Sequence, residues 1–239
     1  MQFYSMENQK QRYSRLVSIP EIGEEGVKKL NASHVLMIGC GALGSMCAMY
    51  LAASGVGHIT IADFDTVDIS NLQRQLFFTE QDLGKSKAQV LTARINALNS
   101  ETEVSVIEKL IRSARDLGDI TEYDVLIDGS DNPHTKLLTD RLSADSDVPC
   151  VIAGVRGFEC QIMTCVQESV RYADVFGEDA ACSGFTPCSI GGVLGPAAGV
   201  AASLQCAEAV KLIVGIGTPL TDRLLAMNLL DMTVNVLSI

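Results

Sequence analysis

Short, unbroken apolar runs recur along the chain and read as buried strands: "HVLMIG" from His34, "HITIAD" from His58, "TEVSVIE" from Thr102, "DVLIDGSD" from Asp124 and "VPCVIAGVRG" from Val148. Stretches with helical spacing lie between them. "LGSMCAMYLAASG" is small and apolar and is stopped by Gly55; "GKSKAQVLTARINALN" carries Val90, Leu91, Ile95 and Leu98 on one side; "PHTKLLTDRLSADSD" begins with Pro133 in its first turn. Strand and helix alternate, which predicts an α/β protein with a mostly parallel sheet flanked by helices. Upstream, residues 5–30 read as helical in pieces, punctuated by Pro20 and Gly23.

From Phe158 the rhythm changes. "FECQIMTCVQE" is extended, and residues 169–192 bear Gly, Ser and Pro with little periodicity. A long loop of that kind inside a compact domain is usually functional, here a candidate for partner recognition or closure over a ligand. A long helix over "LGPAAGVAASLQCAEAVKLIVG" follows, then two short strands near "RLLAMNLL" and "TVNVLSI", an antiparallel C-terminal extension. Gly195, Pro196 and Gly199 in that helix are expected to permit close packing.

Composition narrows the class. Of 239 residues, 47% are hydrophobic, ample for one sizeable core, and the net charge of −11 argues against a nucleic-acid partner held by broad electrostatics. Eight cysteines scattered through apolar runs fit reduced thiols in a cytosol better than a disulfide framework. The polar opening "MQFYSMENQKQRYSRL" is unlike a signal peptide. No apolar run of about 18–20 residues escapes interruption by glycine or charge, so no membrane span is expected. These features predict a soluble cytoplasmic protein.

Gly39, Gly41 and Gly44 form G-x-G-x-x-G between a strand and a helix, the turn that brings phosphate against backbone N–H groups at a helix N-terminus. Asp63, 19 residues after Gly44, stands where an acid reaches a ribose hydroxyl. Taken alone, this predicts a Rossmann-like nucleotide fold and an oxidoreductase with a nicotinamide or flavin. The polar set that follows changes the picture. Asn71, Arg74, Lys85 and Lys87 cluster after the second strand, and Asp128, Asp131 and Asn132 end a later one. Parallel sheets hold ligands at the carboxyl ends of strands, so these groups can converge. Cations beside acids suit a triphosphate with a divalent metal. A Walker-type G-x-x-x-x-G-K-[ST] is absent.

These segments, "RYSRL", "GCGALGS", "ADFDTVDISNLQRQ", "GKSKA", "DGSDN" and "GVLGPAAGVAASLQCAEAVKLI", resemble the ThiF/MoeB/HesA family of adenylating enzymes, which in turn resemble the catalytic core of ubiquitin-activating enzymes. The resemblance runs from Arg12 to the C-terminus. It implies a single adenylation domain over 1–239, with a helical arm at 1–30, a nucleotide-binding core at 31–157 and the loop, long helix and strands at 158–239. It implies ATP and Mg²⁺, and a small ubiquitin-like sulfur-carrier protein ending in Gly-Gly whose terminal carboxylate becomes an acyl-adenylate. Position by position, Gly39, Gly41, Ala42 and Gly44 match the phosphate turn; Asp63 matches the ribose acid, and Asp65 the second acid of its segment. Ser70 and Asn71 fall in the nucleotide-binding stretch, Arg74 and Lys87 match phosphate-contacting cations, and Asp131 matches the Mg²⁺-holding acid with Asn132 beside it. Arg15 matches an arginine supplied across a dimer interface, which implies a homodimer.

Two departures stand out. Ala42 occupies a place where many relatives have glycine, and the paired C-x-x-C segments of a structural zinc site are missing. Cys160 and Cys165 would face opposite sides of a strand, a poor chelate, so no zinc is expected. Cys188, in "TPCSIGG", matches the loop cysteine that thiazole-pathway members link to their carrier; the alternative is a bystander thiol. The resemblance leaves the pathway open between thiamine, molybdopterin and others. A non-catalytic relative that binds a carrier, or adenylation of tRNA or a peptide, are the competing readings.

Overall fold

A computed structural model describes residues 11–178 and 192–239 of the chain. Eight strands form one sheet in the order β3-β2-β1-β4-β5-β6-β7-β8. β1 (His34–Ile38), β2 (His58–Ala62), β3 (Glu103–Ile107), β4 (Val125–Asp128) and β5 (Cys150–Arg156) are parallel. β6 (Glu159–Cys165), β7 (Arg223–Asn228) and β8 (Thr233–Ser238) continue the sheet in antiparallel fashion. The parallel half with its antiparallel extension is the architecture the apolar pattern predicts.

Among the described residues the α-helices are α1 (Ser14–Val17), α2 (Gly23–Ala32), α3 (Ala42–Ala53), α4 (Lys87–Leu98), α5 (Pro133–Ser146), α6 (Tyr172–Phe176) and α7 (Gly195–Val214). Two buried clusters lie on opposite faces of the sheet. One joins alternate strand residues Val35, Met37, Ile59, Ile61, Val125 and Ile127 to α3, α4 and α7. The other joins Leu36, Ile38, Leu126 and Ile152 to α5 and α6. Period-two alternation explains the split: β1 and β4 are buried on both faces, so their sequences read as continuous apolar runs.

By length and mean hydropathy α7 could cross a bilayer, although half of its apolar window is buried inside the protein. Its buried polar groups fit a core helix. Gln205 donates from Nε2 to the carbonyl of Asp128 at 2.8 Å. Glu208 accepts from Thr164 Oγ1 at 2.8 Å and from the Leu220 N–H at 2.7 Å. The helix ends at Gly215 in the left-handed region, with Lys29 Nζ donating to the Val214 carbonyl at 2.6 Å. Gln205 therefore braces the end of β4 from behind, which matters for what sits in front.

Candidate active site

The cavity at the carboxyl ends of the parallel strands has a volume of about 630 Å³. It is walled by the β1–α3 turn, the end of β2, the segment after β3, the β4–α5 loop and the β5–β6 hairpin. Gly39, Gly41, Ala42, Asp63, Asp65, Arg74, Lys87, Asp131 and Asn132 all line it.

The three glycines of the turn do different work. Gly39 has φ +88°, and a Cβ on Gly44 would lie 1.9 Å from the Gly39 carbonyl oxygen. Gly129 approaches the same oxygen, at 2.4 Å from its own hypothetical Cβ. Gly44 thus lets the first turn of α3 pack against the Gly39 turn and the Gly129 loop, and it does not line the cavity. Gly41 is open: its Cβ would meet nothing nearer than Gln75 Nε2 at 3.5 Å. Gly41 is also the N-cap of α3, whose end carries no side-chain cap. Its free N–H groups and positive dipole end are available to an anion.

Asp63 is almost buried, and its carboxylate is held by two backbone donors. Cys40 N–H reaches Oδ2 at 2.7 Å and Asp65 N–H reaches Oδ1 at 2.8 Å. Burial, then the Asp63 charge, push the Cys40 thiol well above its usual range, so that thiol is inert. Lys87 Nζ pairs with Asp65 Oδ2 at 3.0 Å, and the Lys87 N–H donates to the Asp65 carbonyl at 3.0 Å. The cation is buried while its partner is half exposed, so Lys87 sits fixed at the wall.

Beyond β4 the loop turns on a buried pair. Lys136 Nζ donates to Asp128 Oδ1 at 2.6 Å, to the Ser130 carbonyl at 2.9 Å and to the Ala153 carbonyl at 2.6 Å. Asp128 also accepts from Ser130 N–H at 3.2 Å and from Thr139 Oγ1 at 3.3 Å. Complete burial raises the Asp128 carboxyl above its ordinary value despite Lys136. Asn132 caps α5, its Oδ1 accepting from Thr135 N–H at 2.9 Å. Between these anchors Asp131 stands exposed at the cavity wall, with no ion pair or hydrogen bond recorded among the described residues.

Other expected residues lie elsewhere. Asn71 Oδ1 accepts from Asp68 N–H at 3.1 Å, and Ser70 donates to Asp68 at 2.6 Å, so both build a capping box in the turn before Arg74. Neither lines the cavity. Arg74 is tied to that turn by Nη1 donating to the Ser70 carbonyl at 3.0 Å. Arg15 is exposed on α1, away from the cavity wall. Cys188 and most of the 169–192 loop fall outside the described residues.

The composition of the wall exceeds what the sequence reading named. Gln75 is buried in the wall with Oε1 unpartnered. Lys136, Arg156, Gln161, Tyr172 and Phe176 also line it. Burial, followed by Asp128 and Asp140, raises the Tyr172 hydroxyl to about 12, which keeps it protonated and a donor. Lys136 could have been found from its place one turn into a helix that follows a strand-end acid.

Cys160 and Cys165 do enter opposite core clusters. Cys165 instead meets Cys150 and Asp140, whose ligand atoms all lie within 4.8 Å of one another. Arg171 Nη2 already pairs with Asp140 Oδ1 at 2.9 Å, and Ala173 N–H donates to Oδ2 at 3.2 Å. The Cys150 contact, then burial, push the Cys165 thiol well above its usual range. Through these contacts Asp140 anchors the start of α6.

The ThiF family model matches residues 13–239. The chain is 38% identical over 233 residues to "Probable adenylyltransferase/sulfurtransferase MoeZ" of Mycobacterium tuberculosis, covering 95% of this chain and 59% of that protein. It is 35% identical over 222 residues to "SAMP-activating enzyme E1" of Haloferax volcanii, covering 93% of this chain and 82% of that one. Among solved structures, E. coli MccB with succinimide superposes with a TM-score of 0.82 at 26% identity, covering 95% of this chain and 71% of MccB. The chain therefore spans 59% of the length of MoeZ, the relative with the higher identity of these two.

Proposed function

The chain belongs to the ThiF family, and from that membership we propose that it is an ATP- and Mg²⁺-dependent adenylyltransferase. Its acceptor is the C-terminal glycine carboxylate of a small ubiquitin-like sulfur-carrier protein, for sulfur transfer in thiamine, molybdopterin or related biosynthesis. The observation that carries the reading is the convergence of Asp63, Lys87, Arg74 and Asp131 on one cavity together with the open phosphate turn. Two cations and an open carboxylate beside a ribose acid suit a metal-bound triphosphate better than the single pyrophosphate of a dinucleotide. The names of the relatives, adenylyltransferase and activating enzyme, support the same class.

The chemistry is nucleotidyl transfer at the α-phosphate. A carrier carboxylate, already ionised at neutral pH, attacks phosphorus; the bond to the bridging oxygen breaks and pyrophosphate leaves. No general base is required. Asp63 holds the ribose, the α3 N-terminus and Gly41 receive phosphate, and Lys87 and Arg74 offset charge on the phosphoryl oxygens. Asp131, a hard oxygen donor open to the cavity, fits Mg²⁺, which when bound neutralises phosphate charge. Arg15 would act from a second copy, in a homodimer, since it does not line its own cavity.

The test is ATP–pyrophosphate exchange with Mg²⁺ and a carrier protein ending in Gly-Gly, beside the same carrier lacking that tail. Exchange that needs the tail supports the reading. Tight NAD binding with no ATP binding would replace it with the dehydrogenase alternative.

A further inference from the structure

Glycine at 154 has no structural reason in the chain itself. It lies inside β5, opposite Gln161 of β6, with Arg156 opposite Glu159 two residues on. Strand alternation places these four on one sheet face, and all four line the cavity. Gly154 is absent from the positive-φ residues, so its backbone suits any residue. A Cβ built there meets no atom within 4 Å, whereas one on Gly44 or Gly129 would strike backbone at 1.9 and 2.4 Å. Glycine inside a strand weakens it, and where neither a bulge nor a bend requires it, it marks a close approach by a ligand.

The surroundings are built to hold that gap open. Lys136 fixes the neighbouring Ala153 carbonyl at 2.6 Å. Tyr172 and Phe176, stacked with ring centroids 4.6 Å apart, belong to the same cavity wall. Their helix is tied down by the Arg171–Asp140 pair at 2.9 Å. In the strand order, β5 is three positions from β2 and its ribose acid, roughly 14 Å by strand spacing. Gly154 therefore meets what is joined to the nucleotide, not its ribose.

We propose that Gly154 sets the bore of an acceptor channel over the β5–β6 floor, which admits a chain end free of side chains and rejects one bearing Cβ substituents. The inference rests on the adenylation reading and adds to it the residue that selects a glycine-ended acceptor. Binding of four probes tests it: ATP, sulfamoyl adenosine, and sulfamoyl adenosine acylated on its sulfamoyl nitrogen with glycylglycyl or with alanylalanyl. Wild-type protein is expected to bind the glycylglycyl derivative about tenfold or more tighter than the alanylalanyl one. Gly154→Val is expected to lose the glycylglycyl gain while its affinities for ATP and sulfamoyl adenosine stay within about twofold of wild type. Gly154→Ala, expected to show a smaller loss of the same kind, keeps the test open if the valine variant folds poorly. Equal binding of both derivatives by wild type, an unchanged glycylglycyl affinity in Gly154→Val, or an equal loss for all probes would overturn the channel. Absence of ATP binding by wild type is a separate result that removes the adenylation reading, and the channel with it.

Discussion

Lys136 Nζ lies 2.6 Å from Asp128 Oδ1, and both groups are buried beneath the cavity. The same ammonium reaches the carbonyls of Ser130 and Ala153, so one cation ties the ends of β4 and β5 to α5. Replacing Lys136 by Met would leave a buried carboxylate and two carbonyls without their donor. We expect a loss of about 3–5 kcal/mol in chemical denaturation. The double variant Lys136→Met, Asp128→Asn should recover part of it. Equal stability of wild type and single variant would contradict the role.

Lys87 offers the opposite balance. Its partner Asp65 is half exposed, so breaking that pair should cost only about 0–1 kcal/mol of stability. Lys87→Met should nevertheless lower pyrophosphate exchange by about 10²–10³-fold if the cation meets the transition state. Activity and denaturation measured on one preparation separate the two effects. A large stability loss with little change in activity would make Lys87 structural.

The glycine turn gives a paired prediction. Gly44→Ala puts a methyl into the Gly39 carbonyl, so the variant should be insoluble or melt well below wild type. Gly41→Ala has room for its methyl, so it should stay far more stable than Gly44→Ala and lose about tenfold in ATP affinity. Thermal melting and nucleotide titration of both variants check this.

At the other end of the sheet, His34 and His58 stack at 3.8 Å. Burial, then the His58 charge, hold the His34 pKa below 6.5. The unfolded chain therefore takes up a proton there before the folded one does. The stability this contributes is present above about pH 6.5 and is lost as pH falls through the lower folded value. Denaturant midpoints should drop on acidification from that window, and His34→Gln should flatten the drop. An unchanged profile would remove His34 as its source.

Where the sequence was legible, local rules decided the outcome. The strands of the parallel half were recoverable because β1 and β4 are buried on both faces and their apolar runs are unbroken. Asp63 and Lys87 reach the cavity wall because a strand end and a helix start fix where their backbones lie. Asn71 was harder: its type suits a phosphate contact or a cap, and only the fold shows its Oδ1 accepting from Asp68 N–H. Lys136 and Gln205 reach Asp128 from distant helices, a relation set by packing across the sheet. Tyr172 and Phe176 lie in a stretch without periodicity, so nothing local marks them as cavity wall. Gly154 looked like any strand glycine until its empty surroundings were visible.

The most direct measurement is the mass of a Gly-Gly-ended carrier protein after incubation with ATP, Mg²⁺ and a stoichiometric amount of this protein in the absence of a sulfur donor. The account predicts a carrier heavier by one adenylyl group, dependent on the terminal glycine and lost in Asp131→Ala. Unmodified carrier, with ATP bound and the protein folded, would contradict it.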